Sequence, residues 1–234
     1  MSTALILSGG PNHDCAGTSA QLVEILVGVG VGARVREDIE GALAELGERD
    51  LLVVNLLRWR MLQERYVELA PTYAISLSES ARTRIERFVR DGGSLLAIHG
   101  AAICFDDWPG WGELIGARWE WGRSMHPPLG PVAVEVARSA HPIVAGLSER
   151  FTVEDEVYSY LDRAADVEAL MSAEHGGERH PLLWAREVDG GRVVYDLLGH
   201  HVGSYDPPTH RRIVARAALW ALRRPDAEIA AVSP

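Results

Sequence analysis

The apolar positions of this chain follow two periods. Residues 4–7, 51–57 and 95–98 are short runs without polar alternation, bounded by glycine, proline or charged residues, as expected of parallel strands covered on both faces. Between them the spacing lengthens to that of helices. Leu22, Ile25, Leu26 and Val29 predict a helix from about Ser19, capped by Thr18 or Ser19, with the glycines of Gly28-Val29-Gly30-Val31-Gly32 as its stop. Residues 39–46 predict a short helix. Ile85, Phe88 and Val89 predict another, opened by a Ser76-x-x-Glu79 capping box and ended by Gly92-Gly93. Residues 33–36, 132–136, 167–171 and 192–198 predict further strands, and residues 208–222 a closing helix. The alternation predicts one α/β domain over residues 1–225, a doubly wound and mainly parallel sheet, with a C-terminal tail at 226–234. Residues 100–131 break the pattern. Trp108, Trp111, Trp119 and Trp121 stand there among Pro109, Pro127 and Pro128, an irregular insertion that is either a binding loop or aromatic packing on the sheet edge.

Three of the predicted strands run into a histidine: the first leads through Gly9-Gly10 to His13, the fourth to His99, the last through Gly199 to His200. Ligands of open α/β sheets bind beyond the carboxyl ends of the strands, so these side chains are expected to line one pocket. Gly9 and Gly10 let the backbone approach a ligand there, although Gly9-Gly10-Pro11 lacks the spacing of a dinucleotide fingerprint. Asp14 faces that ligand or caps the following helix. His200 and His201 are adjacent and point differently, so one of them is expected in the crevice. His126, in the insertion, can drop into the site from above. Glu154-Asp155-Glu156 with Tyr158 and Tyr160 is a solvated charge run or an acid/base cluster beside the histidines. His141-Pro142 reads as a loop-structuring pair, and His175, His180 and His210 as surface residues.

Composition narrows the chemistry. All 23 basic residues are arginine, so a lysine Schiff base, a pyridoxal-phosphate enzyme and a lysine-dependent phosphate loop are excluded. A net charge of −10 without a basic block argues against a nucleic-acid partner. No apolar run approaches the roughly 20 residues of a membrane span. No signal peptide is expected, and Cys15 and Cys104 give no disulfide framework, which points to the cytoplasm. Neutral imidazoles with one carboxylate suit zinc or a similar divalent metal. His13, His99 and His200 are the leading candidate ligands, with His126 and Glu156 available; no H-x-x-x-H spacing occurs, so all would come from separate elements.

An ordered series of motifs resembles the trehalose-utilisation (ThuA) family. It comprises Ser8-Gly9-Gly10-x-x-His13-Asp14, Gly92-Gly93 before Leu95-x-x-x-His99-Gly100, Trp108, Gly116, His126, His141-Pro142, Asp155-Glu156-x-Tyr158, Pro181-x-x-Trp184, Gly191-Arg192-Val193 and Gly199-His200. The resemblance spans nearly the whole chain. It implies a flavodoxin-like sheet similar to class I glutamine amidotransferases and a role in disaccharide catabolism, where such proteins accompany dehydrogenases that make keto-sugars. It places His99 on the elbow where the amidotransferases hold a cysteine, so a cysteine-dependent glutaminase is not expected; Cys104 is a buried small residue or a displaced nucleophile. The reading that follows is a sugar or keto-sugar isomerase, lyase or hydrolase. His99, Glu156 and His126 would be catalytic, and Gly9, Gly10, His13, Asp14, Trp108, Asp155, Tyr158 and His200 would bind a small carbohydrate. The alternative is a non-catalytic carbohydrate-binding or regulatory domain. Homo-oligomerisation stays open.

Overall fold

The computed structural model describes residues 2–48 and 50–233. In chain order the elements are β1 (Thr3–Gly9), α1 (Cys15–Gly28), β2 (Gly32–Arg36), α2 (Ile39–Ala44), β3 (Leu51–Leu56), α3 (Ala70–Tyr73), α4 (Glu79–Arg90), β4 (Ser94–Ile98), α5 (Pro109–Ile115), β5 (Ala117–Arg118), β6 (Gly130–Val136), β7 (Arg150–Asp155), β8 (Asp162–Arg163), β9 (Met171–His175), β10 (Glu178–Val188), β11 (Gly191–Asp196), α6 (Pro208–Ala221) and α7 (Asp226–Ala230). A nine-stranded sheet has the order β2-β1-β3-β4-β11-β10-β9-β6-β7. From β2 to β11 each neighbouring pair is parallel; from β11 to β7 each is antiparallel. Only β10 and β6 therefore run against the common direction.

The apolar runs supply the centre. Leu5, Leu52, Leu95 and Val193 lie side by side across four strands, each with no exposed surface. Such runs are stable only when both faces are covered. α1 and α6 pack together on one side, and α2, α4 and α5 form a second layer, as expected of a doubly wound sheet. Because β1, β3, β4 and β11 are parallel, their carboxyl ends share one edge. That edge carries all three histidines.

Several local expectations are corrected. Helix α1 begins at Cys15 and its cap is Asp14, whose Oδ1 accepts from the Gly17 amide at 2.8 Å. Thr18 and Ser19 are inside the helix and buried; their hydroxyls accept from Asn55 Nδ2 at 2.9 and 3.0 Å, tying α1 to β3. Helix α4 is capped by Ser78, because the Ser76 hydroxyl is engaged by Asp107 and Arg82. The strand expected at 167–171 starts only at Met171, since residues 165–166 form a turn. Strands β7 and β10 were not expected. Both carry several charged residues, and Pro181 sits at a register shift within β10. The insertion is partly regular: Pro109 opens α5, Gly116 closes it at φ +82°, and β5 pairs with β8. In the expected tail, α7 packs on α6 with Ile229 fully buried. No described helix is long and apolar enough to cross a membrane.

Candidate active site

His99 follows β4 directly and holds φ at +42°, a conformation costly for a non-glycine residue. The surroundings fix it. Tyr195 on β11 donates its hydroxyl proton to the His99 carbonyl at 2.6 Å and accepts from the Ala102 amide at 2.9 Å, closing the turn His99–Ala102. His99 Nδ1 donates to the Leu197 carbonyl at 2.7 Å. A carbonyl only accepts, so in the neutral ring the proton is on Nδ1 and Nε2 is bare. That Nε2 faces His13 Nε2 at 3.1 Å and Glu156 Oε2 at 3.6 Å.

His13 reaches this point because the loop after β1 turns sharply. Gly10 has φ +131°, and a Cβ there would stand 2.3 Å from the Leu57 carbonyl oxygen. His200 arrives from the loop after β11, where Gly199 donates to Asp155 Oδ2 at 2.8 Å. The other oxygen of Asp155 accepts from the Glu156 amide, also at 2.8 Å. Asp155 is fully buried and fastens the end of β7 to the 197–200 loop, which turns Glu156 toward the histidines. Glu156 Oε2 then lies 3.4 Å from His200 Nδ1, and its Oε1 lies 3.1 Å from His126 Nδ1. One ligand atom from each of His13, His99, Glu156 and His200 falls within 4.8 Å of all the others.

The electrostatics follow from this crowding. Burial pushes the His13 imidazole down to about 2, with His99 and His200 adding to the effect, so the ring stays neutral. Burial alone would raise Glu156, but the neighbouring His126, His200 and His99 rings outweigh it and hold the carboxyl well below the usual range. His126 is shifted up by its hydrogen bond to Glu156, against the opposing effect of burial. The set suits a divalent cation. Ligands about 2.0–2.1 Å from a tetrahedral zinc stand about 3.4 Å apart; three separations among the four residues are 3.1, 3.4 and 3.6 Å, and the whole set lies within 4.8 Å. Nδ1 of His13 and Nδ1 of His200 are buried without a hydrogen-bond partner.

Above the cluster opens a cleft of about 250 Å³, lined by His13, His126, Glu156 and His200 at the reactive end and by Trp59, Tyr66, Trp119, Trp121 and Tyr158 as aromatic wall. Arg65 stands at the same cleft, its guanidinium 4.7 Å from the Tyr66 ring and 5.7 Å from the Trp121 ring. A larger hollow of about 610 Å³ lies by α1, α6 and α7, but no histidine or cysteine lines it. The histidine cluster is at the smaller one.

Of the residues picked out by sequence, His13, His99, His126, Glu156, Tyr158 and His200 meet. Gly9 and Gly10 shape the turn. Asp14 is an exposed helix cap and Asp155 a buried support; neither lines the cleft. Trp108 stacks on Trp111 at the start of α5, outside the cleft, and Trp119 and Trp121 stand where it was expected. His180 and His210 are buried rather than superficial. His210 Nδ1 donates to the Ser204 carbonyl at 2.6 Å, and its Nε2 lies 2.9 Å from Asp196 Oδ2. Burial would lower this imidazole, but Asp196 raises it overall; both ring nitrogens face acceptors, the arrangement of an imidazolium–carboxylate pair. Asp196 also accepts from the Leu198 amide at 3.1 Å, which anchors the loop that receives the His99 proton and carries His200. Trp59, Arg65, Tyr66, Tyr195 and Asp196 were not singled out in the sequence, where His210 reads as a surface residue; two aromatics seven residues apart after β3 were the available signal.

A family model described as trehalose utilisation (ThuA) matches residues 3–221. No curated protein matches the sequence. Among solved structures, a ThuA-like protein from Parabacteroides merdae ATCC 43184 is 18% identical with a TM-score of 0.72, over 95% of this chain and 90% of that one. A ThuA-like protein from Bacteroides uniformis ATCC 8492 is 16% identical with a TM-score of 0.68, over 95% and 91%. The β-galactosidase from Rahnella sp. R3 is 15% identical with a TM-score of 0.62, over 95% of this chain but only 31% of that enzyme. At these identities the likeness shows a shared fold.

Proposed function

Because this chain belongs to the trehalose-utilisation family, we propose that it is an enzyme acting on a sugar or keto-sugar derived from a disaccharide, with His13, His99, His200 and Glu156 as its reaction centre. The observation that carries this reading is their convergence within 4.8 Å at one end of an aromatic cleft. A surface that only bound sugar would need stacking rings and hydrogen bonds, not three histidines around a carboxylate. Tyr158 and the tryptophans offer flat faces for the apolar side of a pyranose ring. Glu156 and His126 form the proton-handling pair: the carboxylate is held ionised, and the imidazole bonded to it holds its proton more firmly than a free one. A divalent ion such as zinc would be held by His13, His99 and His200, with Glu156 beside it. When bound it would polarise a carbonyl or hydroxyl oxygen and so acidify the neighbouring C–H. Without a metal, the bare Nε2 of His99 would be the acceptor for that proton, with His13 Nε2, 3.1 Å away, between it and the cleft. The partner is a small carbohydrate, and a cytoplasmic setting accords with two unpaired buried cysteines.

The test pairs metal analysis with substitution. We expect purified protein to take up about one divalent ion per chain, and His13→Ala, His99→Ala and His200→Ala each to lose it. His99→Asn should retain sugar binding while turnover of keto-disaccharides falls by about 100-fold or more. Wild-type turnover by His99→Asn would overturn the assignment. Sugar binding without turnover by the wild type, on a panel of keto-sugars, would favour the binding-domain reading.

A further inference from the structure

The segment between β3 and α3 contributes Trp59, Arg65 and Tyr66 to the cleft. Arg65 is the only arginine among the lining residues, in a chain of net charge −10. Among the described residues it has no hydrogen-bond or ion-pair partner; its guanidinium instead stacks over Tyr66 and Trp121. The contrast within the same segment is informative, because Arg58 and Arg60 are both consumed by the fold. Arg58 donates to the carbonyls of Tyr73 and Thr72, and Arg60 pairs with Asp106. Stacking orients a planar guanidinium while leaving its N–H donors free, and that fork matches a carboxylate bidentately.

The size of the cleft says where such an anion would sit. About 250 Å³ is below the usual 300–1,000 Å³ of pockets for drug-sized ligands, so the enclosed space suits one sugar ring. The rest of a disaccharide would project past the rim. On this side the rim is exposed: Leu62 and Val67 flank Arg65 and are 70% and 66% accessible. One guanidinium and the nearby anionic Glu156 favour a monoanion over a phosphate dianion, which would call for further cationic groups. We propose that Arg65 selects a carboxylate on the second unit of the substrate, so that the preferred ligand is an acidic disaccharide, a glycoside with a uronic-acid partner, rather than a neutral one. This rests on the sugar-site reading above.

Trp59, Trp119 and Trp121 make the test direct. Their fluorescence can be titrated with trehalose and with trehalose oxidised to the carboxylate at one C6. The acidic sugar should bind about 10- to 100-fold more tightly at low salt, the range of a charge-assisted pair. Arg65→Met should remove that advantage, weakening the acidic sugar far more than trehalose, while Arg65→Lys, which keeps the charge but not the fork, should retain part of it. Equal affinity of the wild type for both sugars would overturn the proposal and leave the sugar site standing. Equal weakening of both sugars by Arg65→Met, with an unchanged far-ultraviolet circular dichroism spectrum, would make Arg65 a packing residue and overturn it too. If neither sugar quenches the fluorescence, the sugar-site reading fails and the proposal with it. A glucose phosphate outcompeting the acidic disaccharide would replace the carboxylate by a phosphate and refute the assignment as stated.

Discussion

His210→Gln removes the counter-charge of a carboxylate that is 1% exposed. Asp196 would retain the Leu198 amide as a donor but lose the imidazolium at 2.9 Å. Breaking a buried pair by deleting one partner costs about 3–5 kcal/mol, because the remaining charge stays desolvated. For a chain of this size each kcal/mol lowers Tm by about 2–4 °C, so a fall of about 6–20 °C is expected. Asp196→Asn in the His210→Gln background should recover part of it, since no uncompensated charge then remains. The pH dependence has a defined sign. The folded-state pKa of His210 is raised, so its contribution is fully present below the unfolded value of about 6.5 and is lost as pH rises through the folded value. The gap between wild type and His210→Gln, measured by urea unfolding, should therefore narrow from pH 6 toward pH 9. Through the 197–200 loop the same substitution should weaken metal affinity or turnover by about 10- to 100-fold, the usual effect of a residue behind a ligand. A stability change below about 0.5 kcal/mol, or a gap independent of pH, would falsify the charged-pair account.

Gly10→Ala should cost about 3–5 kcal/mol, because its Cβ would meet the Leu57 carbonyl oxygen at 2.3 Å on a backbone with φ +131°; a wild-type unfolding midpoint would contradict this. Cys104 is buried, its thiol is 3.2 Å from the Leu56 carbonyl, and burial pushes its pKa up to about 12, so iodoacetamide at pH 8 should leave it unmodified in native protein. Labelling of Cys104 with parallel loss of activity would revive a cysteine nucleophile. The His13 imidazole resonances should not titrate between pH 5 and 9 in metal-free protein, and a midpoint in that window would contradict its burial. Because its folded pKa is lowered, His13 also makes the fold less stable as pH falls below about 6.5.

What was legible in the sequence is what local pattern and a topological rule can reach. Residues 4–7, 51–57 and 95–98 read as buried strands because their side chains allow no solvated face, and parallel β–α units place successive carboxyl ends on one edge. His13, His99 and His200 were thus predictable as neighbours from their positions alone. The antiparallel half was not: β7 and β10 are half-solvated and charged, and a strand with one wet face looks like a loop when Pro181 interrupts it. The supports of the site were equally hidden. Asp155 reads as one member of a charge run until the 197–200 loop offers its amide, and Tyr195 is one more apolar residue of β11 until the His99 carbonyl meets its hydroxyl. His210 lies at the first turn of α6, where a polar residue is ordinarily solvated; only the fold brings Asp196 to it. A hydrophobic residue declares its burial by its own transfer free energy. A buried polar residue is stable only through a partner whose position the tertiary structure decides.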